Sequence, residues 1–374
     1  MTGERHLTTG NAVASLFLAI VCAALLLAAG SAQAATPTVF ATGLDNPRGL
    51  HWGPDGNLYV AEGGLGGDDS TANECPAIQV VPPIGPYTGS TTGARISRIT
   101  PAGVRSDFVT GFPSSQTSEM TGSFASGVAD LAFIGNTMFA LINGAGCSHG
   151  VTGIPNEIVR ISPGGTPTQV ADLSEFWMTH PVANPEKDDF EPDGTPYSMI
   201  AVRGDLYVVE PNHGELDRVT TSGKITRVID YSAAFGHVVP TTVAYHGNFY
   251  IGNLGTIPDL GKDNQFIAKV NPGGQVKVVT GGLQTVLGLV FDNRARKYVL
   301  DMGGYVPGEG RILRVDPSGA MTEIASGFDH PTALTFGPDG ALYVSDRGFG
   351  YCSSKGCDDD PPGSTGRIIR VEVP

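Results

Sequence analysis

Apolar and polar positions alternate in short runs along most of the chain, and the runs recur as one three-strand sentence written six times. The first run of each unit is largely apolar: PRGLHW near Leu50, VADLAF near Leu131, PYSMIAV near Ile200, PTTVAY near Val243, VLGLVF near Leu289 and PTALTF near Leu334. The second is aromatic and ends in a polar residue, with anchors at Tyr59, Phe139, Tyr207, Tyr250, Tyr298 and Tyr343. The third carries a cation at a fixed place: RISRIT at Arg98, EIVRIS at Arg160, ELDRVT at Arg218, FIAKVN at Lys269, RILRVD at Arg314 and RIIRVE at Arg370. Each reads as a strand of period two, and a fourth follows in most units, as at Lys277-Val278-Val279 and Glu323-Ile324-Ala325. Between strands stand turns such as Gly53-Pro54-Asp55-Gly56 and Gly337-Pro338-Asp339-Gly340, where Pro presets φ and Gly accepts a positive one.

Later anchors approach the spacing of ~40 to 50 residues typical of a four-stranded propeller blade, while the first two units carry insertions. The last unit stops after RIIRVEV without a fourth strand. Thr38–Leu44 resembles Thr322–Phe328, which closes unit five, and so supplies the missing strand from the other end of the chain. The expected fold is all-β: a six-bladed β-propeller with four-stranded blades, the N-terminal strand completing the last blade. That pairing removes exposed sheet edges.

The ends and the composition narrow the setting. An apolar run from Ala12 to Ala29, followed by Ser31-Ala32-Gln33-Ala34-Ala35, reads as a signal peptide over 1–34 with cleavage after Ala34. Residues 35–374 are then one exported propeller domain without a stable membrane span. A net charge of −14 disfavours nucleic acid as a partner and leaves a small molecule or another exported protein. Outside the leader stand Cys75, Cys147, Cys352 and Cys357, an even set in an oxidising compartment. The simplest of the three pairings joins 75 with 147 and 352 with 357; no CxxC spacing favours zinc.

The stretches DNPRGLHWGPDGNLYVAEGG, PDGTPYSMIAV, DLYVVEPNHGELDRVTTSG and PTTVAYHGNFYIGNLGTIP, in this order and with a long first insertion, resemble the ScyD/ScyE family. The resemblance covers roughly residues 36 to 374 and implies an exported six-bladed propeller of the NHL and TolB-like kind. It implies no particular activity. The chain also departs from the family at Asn253, where a carboxylate is expected, and at Glu210-Pro211-Asn212 in place of Asp-Ala-Gly.

Antiparallel strand direction sorts the polar residues by face. Inner strands begin, and aromatic strands end, at one mouth of the channel, so Glu62, Glu210, Asn253, Asp301 and Asp346 are expected around it. Loops on that side carry His149, His180, His213, His237 and His330. Glu62, Glu210, Asn253 and Asp301 are candidate ligands for Ca²⁺ or another divalent cation, with His213 or His237 as general base of a metal-assisted hydrolase or lyase. Glu62, His180, His330 and Asp346 are candidate ligand-binding residues. The structural alternative gives the same carboxylates to backbone N–H groups or to cations, closing each blade. The recurrence of the third-strand cations assigns them to packing.

Acidic stretches at Glu186–Asp189 with Glu191 and Asp193, and at Asp358–Asp360, lack EF-hand spacing. The insertion from Gly63 to about Gly93 is a candidate lid. No GxSxG, HExxH or CxxC is present, which disfavours nucleophilic serine or thiol catalysis. A quinone-dependent dehydrogenase needs a cationic clamp, and only Arg48 and Arg347 stand near the mouth. The leading expectation is therefore a binding or accessory module, with a lactonase-like hydrolase as the alternative.

Overall fold

The computed structural model describes residues 1–3, 36–75, 85–117, 124–185, 190–256, 262–271, 273–350, 352–353, 356–357 and 366–373. The chain divides into residues 1–34 with Pro374, and Ala35–Val373; all the sheets belong to the second unit. Outside the described residues lie nearly all of the expected leader, Glu186–Asp189 and Asp358–Asp360. No helix among the described residues is long and apolar enough to cross a membrane.

Six small antiparallel sheets form the blades of a β-propeller. Blade 1 runs from Pro47–Trp52 through Leu58–Glu62 and Thr88–Ile99 to Arg105–Gln116, and Ala125–Ser126 adds a short fifth strand. Blades 2 to 5 begin at Val128–Ile134, Ser198–Val202, Pro240–Tyr245 and Val286–Phe291, each with three strands outside the first. Blade 6 consists of Ala333–Phe336, Leu342–Asp346, Gly366–Val371 and, outermost, Thr38–Leu44. Val39 faces Ile369 and Leu44 faces Gly366, so the two ends of the chain interlock as their sequences require.

The aromatic anchors recur because each fills a joint between blades. Tyr59 meets Phe133 at 5.8 Å, Tyr250 meets Phe291 at 4.8 Å, Tyr298 meets Phe336 at 5.2 Å and Tyr343 meets Trp52 at 5.1 Å. In each case the partner lies in the inner strand of the next blade, and such pairs contribute about 0.5–1.5 kcal/mol beyond buried area. The third-strand cations lie directly opposite these anchors, Arg98 facing Tyr59 and Arg370 facing Tyr343. They act within blades: Arg370 pairs with Asp339 at 2.8 Å and Arg218 with Asp205 at 2.5 Å.

Inner strands are stitched to one another around the channel. Asp130 lies 3.2 Å from His51 Nε2 in blade 1 and accepts Met199 N–H of blade 3 at 2.8 Å. Ser198 donates to the Thr241 carbonyl and Thr241 to that of Val286, and Ser345 of the second strand of blade 6 donates to the Arg48 carbonyl of the inner strand of blade 1. Gly49 leaves room for one of these links, since a Cβ there would fall 1.9 Å from Asp130 Oδ1. A disulfide joins Cys75 of the first insertion to Cys147 of blade 2, as expected, with Cα atoms 5.9 Å apart. The backbone places Cys352 opposite Cys357 in a two-residue hairpin.

Candidate functional site

The loop face at which the second strands end carries the carboxylates, and each is already engaged. Asp301 accepts the N–H groups of Thr285 at 2.9 Å, Gly303 at 3.2 Å and Gln284 at 3.3 Å, and pairs with Arg311 at 3.0 Å. Asp346 takes the Asp329 N–H and Arg367, each at 2.8 Å, and burial pushes its pKa up to about 6 against the pull of Arg367. Glu62 accepts from Asp45 N–H at 2.6 Å, from Ser97 and from Arg95; burial raises its pKa and Arg95 opposes the rise. Glu210 accepts the N–H groups of Thr195, Asn212 and His213. Asn253 accepts the Tyr231 hydroxyl at 3.1 Å and donates to Gln265 at 3.4 Å.

Glu62, Glu210, Asn253 and Asp301 therefore each tie the end of one strand to the loop beside it, the hydrogen-bonding role weighed against metal ligation. Among the described residues, no group of three or more His, Cys, Asp or Glu side chains is placed to hold a metal ion.

Their cationic partners carry a pattern that the reading of Arg98 and its equivalents overlooked. Three residues earlier stand Arg95, Arg311 and Arg367, facing Glu62, Asp301 and Asp346 across the sheet. In blade 3 that position is Glu215, so Glu210 faces a second acid. Arg227 of the outer strand compensates by pairing with Glu215. Asp217, two residues on, accepts Trp177 Nε1–H at 2.8 Å. Burial raises the pKa values of both acids; the Asp217 charge adds to the rise at Glu215, while hydrogen bonds from Trp177 and Glu215 oppose it at Asp217, so the pair retains a proton that isolated carboxyls would release.

The mouth of the channel is more apolar than its polar residues suggested. Leu287, Met302 and Phe349 cluster there with Phe124, Tyr197, Leu254 and Tyr305. Arg48 reaches into this collar, its guanidinium 4.0 Å from the Phe349 ring centre and donating to the Ala125 carbonyl. Desolvation lowers its pKa. His330 stacks on Tyr305 at 4.3 Å, and burial lowers its pKa too. Arg347, the other candidate for a clamp, pairs with Asp329 at 3.2 Å.

The remaining histidines diverge. His237 is half-buried past helix α2, Tyr231–Phe235. His180 is exposed at the end of helix α1, Leu173–Thr179, stacked on Phe176 at 4.3 Å. His149 is buried beneath the first insertion, with Tyr87 4.7 Å away and Glu191 Oε2 at 3.4 Å. Asp193 is likewise buried, accepting Ser148 N–H at 3.1 Å.

His213 lines a cavity of about 200 Å³ beside the segment leading from blade 2 to blade 3. Trp177, Met178, Val182 and Phe190 form its other walls, and Pro181, Pro185 and Pro192 stiffen its rim. Asp172 caps α1 by accepting Glu175 N–H at 2.9 Å, which sets the helix that carries Trp177. Gly194 makes room for the indole: a Cβ there would lie 2.3 Å from Trp177 Cε3, and its φ is +74°. Sequence reasoning singled out His213 but not Trp177, whose only signal is a lone tryptophan in a short helical stretch between blades.

Comparison with solved structures agrees with the architecture. No family model matches the chain, and no curated protein matches it in sequence. The fold is that of known six-bladed propellers. The calcium-binding protein regucalcin of Agrobacterium tumefaciens aligns at 14% identity over 91% of this chain and 96% of that one, with a TM-score of 0.53. A gluconolactonase of Xanthomonas campestris aligns at 10% identity over 90% of each chain, also at 0.53. The PQQ-bound aldose sugar dehydrogenase of Streptomyces coelicolor aligns at 14% identity over 90% and 98%, at 0.52. At such identities the likeness extends to the fold alone.

Proposed function

We propose that this propeller is an exported binding module of the ScyD/ScyE kind whose small-molecule ligand sits in the cavity walled by Trp177, Phe190 and His213. The observation that carries the reading is a preformed apolar cavity of about 200 Å³ on a loop face whose strand-end carboxylates are already hydrogen-bonded. Apolar engineered cavities near 150 Å³ hold one benzene ring, so this volume suits a single-ring compound. The Cys75–Cys147 bond and the apolar N-terminal run support export.

The test is thermal denaturation with fluorobenzene, on the wild type and on Val182→Trp, which fills the cavity. Fluorobenzene should raise the wild-type melting temperature and leave the variant unmoved; no shift in the wild type at saturating ligand would sink the reading.

The alternative, a lactonase-like hydrolase, is favoured by the gluconolactonase and regucalcin folds. It requires Glu62, Glu210, Asn253 and Asp301 to exchange their present partners for a cation, with His213 or His237 as base. Stoichiometric metal in purified protein, together with lactone hydrolysis abolished by chelation, would establish it over the binding module.

A further inference from the structure

We infer that Met178 is an oxidation site, and that converting its thioether to the sulfoxide weakens the binding of an apolar ring in the cavity walled by Trp177, Phe190 and His213. The inference rests on the reading of this cavity as the ligand site and adds a means of regulating it.

Position makes the residue accessible. Met178 lines the cavity and is 57% exposed, whereas Met138, Met199 and Met302 are buried in the propeller. Oxidation follows access to solvent, so a peroxide reaches Met178 well before those three. Among the described residues beyond the expected leader, only Met321 is comparably open, at 46%, and it begins the outer strand of blade 5, Met321–Phe328.

The support beneath Met178 is fixed at both ends. Asp172 caps the start of α1, Thr179 Oγ1 donates to the Glu175 carbonyl at 2.7 Å near its end, and the adjacent Trp177 is held by Asp217. A chemical change at Met178 therefore acts on the wall itself rather than by releasing the helix.

The wall is one that a polar atom spoils. Trp177, Val182, Phe190 and three prolines supply apolar surface, and the thioether completes it as a polarisable group that makes favourable contacts with aromatic rings. In the oxidation the sulfur lone pair attacks one oxygen of hydrogen peroxide; an S–O bond forms as the O–O bond breaks. The departing hydroxide takes the proton of the attacked hydroxyl and leaves as water. Sulfur loses two electrons and the peroxide gains them. The new oxygen is a strong acceptor that favours water over an apolar wall, so a contact with the ligand is exchanged for a hydrated lip. Methionine sulfoxide reductases reverse the step.

The test pairs peptide mapping by mass spectrometry with calorimetric titration of fluorobenzene, before and after graded hydrogen peroxide. In the wild type, oxygen should appear at Met178 and Met321 before Met138, Met199 or Met302, while the dissociation constant of fluorobenzene rises about fivefold. Methionine sulfoxide reductase should restore it. Each variant is compared with its own untreated sample: Met178→Leu should show no rise, and Met321→Leu the full one.

Untreated wild type that binds no fluorobenzene would overturn the cavity reading and this inference with it. Affinity that is unchanged once Met178 is oxidised, a Met178 that resists peroxide, or a rise that persists in Met178→Leu would overturn the inference and leave the cavity reading standing. Should the leucine variant bind no fluorobenzene, a peroxide dose series on Met321→Leu decides, because affinity must then fall in step with sulfoxide at Met178.

Discussion

Replacing Cys75 and Cys147 by Ser probes how the long first insertion is held. The bond spans a sequence separation of 72 residues. In the chain-entropy description, a cross-link over a loop of that size destabilises the unfolded ensemble by about 4 kcal/mol. Native contacts around it survive the substitution: Thr71 donates to the Cys147 carbonyl, Asp69 and Gly89 form a bridge, and Tyr87 packs on His149. The loss should therefore come almost wholly from the unfolded side. An unfolding entropy of roughly 0.7 kcal/mol/K for a unit of this size converts 4 kcal/mol into a fall of about 6 °C in melting temperature. Calorimetry under non-reducing conditions measures the shift, with peptide mapping to verify the 75–147 linkage in the wild type. If the double variant and the mapped wild type melt within about 1 °C of each other, the entropic reasoning fails.

Other perturbations separate the roles of the buried acids. Asp301→Ala removes the partner of Arg311 and three backbone N–H groups, and should cost about 3–5 kcal/mol by denaturant titration while leaving metal content unchanged. Loss of a bound ion in that variant would reinstate the metal reading. The Glu215–Asp217 pair binds its proton more tightly when folded than the unfolded chain does, from ordinary values of 4.5 and 3.8. Its contribution is thus complete below those values and lost as pH rises through the folded ones. Wild-type stability should decline from about pH 5 toward alkaline pH more steeply than that of Glu215→Gln, and superimposable profiles would contradict this. Deleting residues 35–44 exposes the outer edge of Gly366–Val371, so light scattering should detect self-association; a monodisperse, equally stable product would disprove the clasp.

The fold was legible because it is repetitive. Every blade needs an aromatic plug at its joint and a turn of set handedness, and Tyr59, Tyr250, Tyr298 and Tyr343 advertise that need in each copy. The clasp was legible for the same reason, since Thr38–Leu44 repeats the closing strand of blade 5. Repetition says less about a site. The acids that end the second strands recur, and the sequence alone does not show that Asp301, Asp346 and Glu62 accept from Thr285 N–H, Asp329 N–H and Arg95.

Sequence alone thus determined the number of blades and the ring closure, properties of strand period and of the order of units along the chain, and made Cys75 with Cys147 part of the simplest of three pairings. Tertiary structure decided which polar atoms remain unspent. Whether a carboxylate is available or consumed depends on neighbours far away in sequence, as with Asp217 and Trp177, which lie 40 residues apart. The cavity beside His213 is likewise set by a helix, a loop and a strand end brought together by packing rather than by any local pattern.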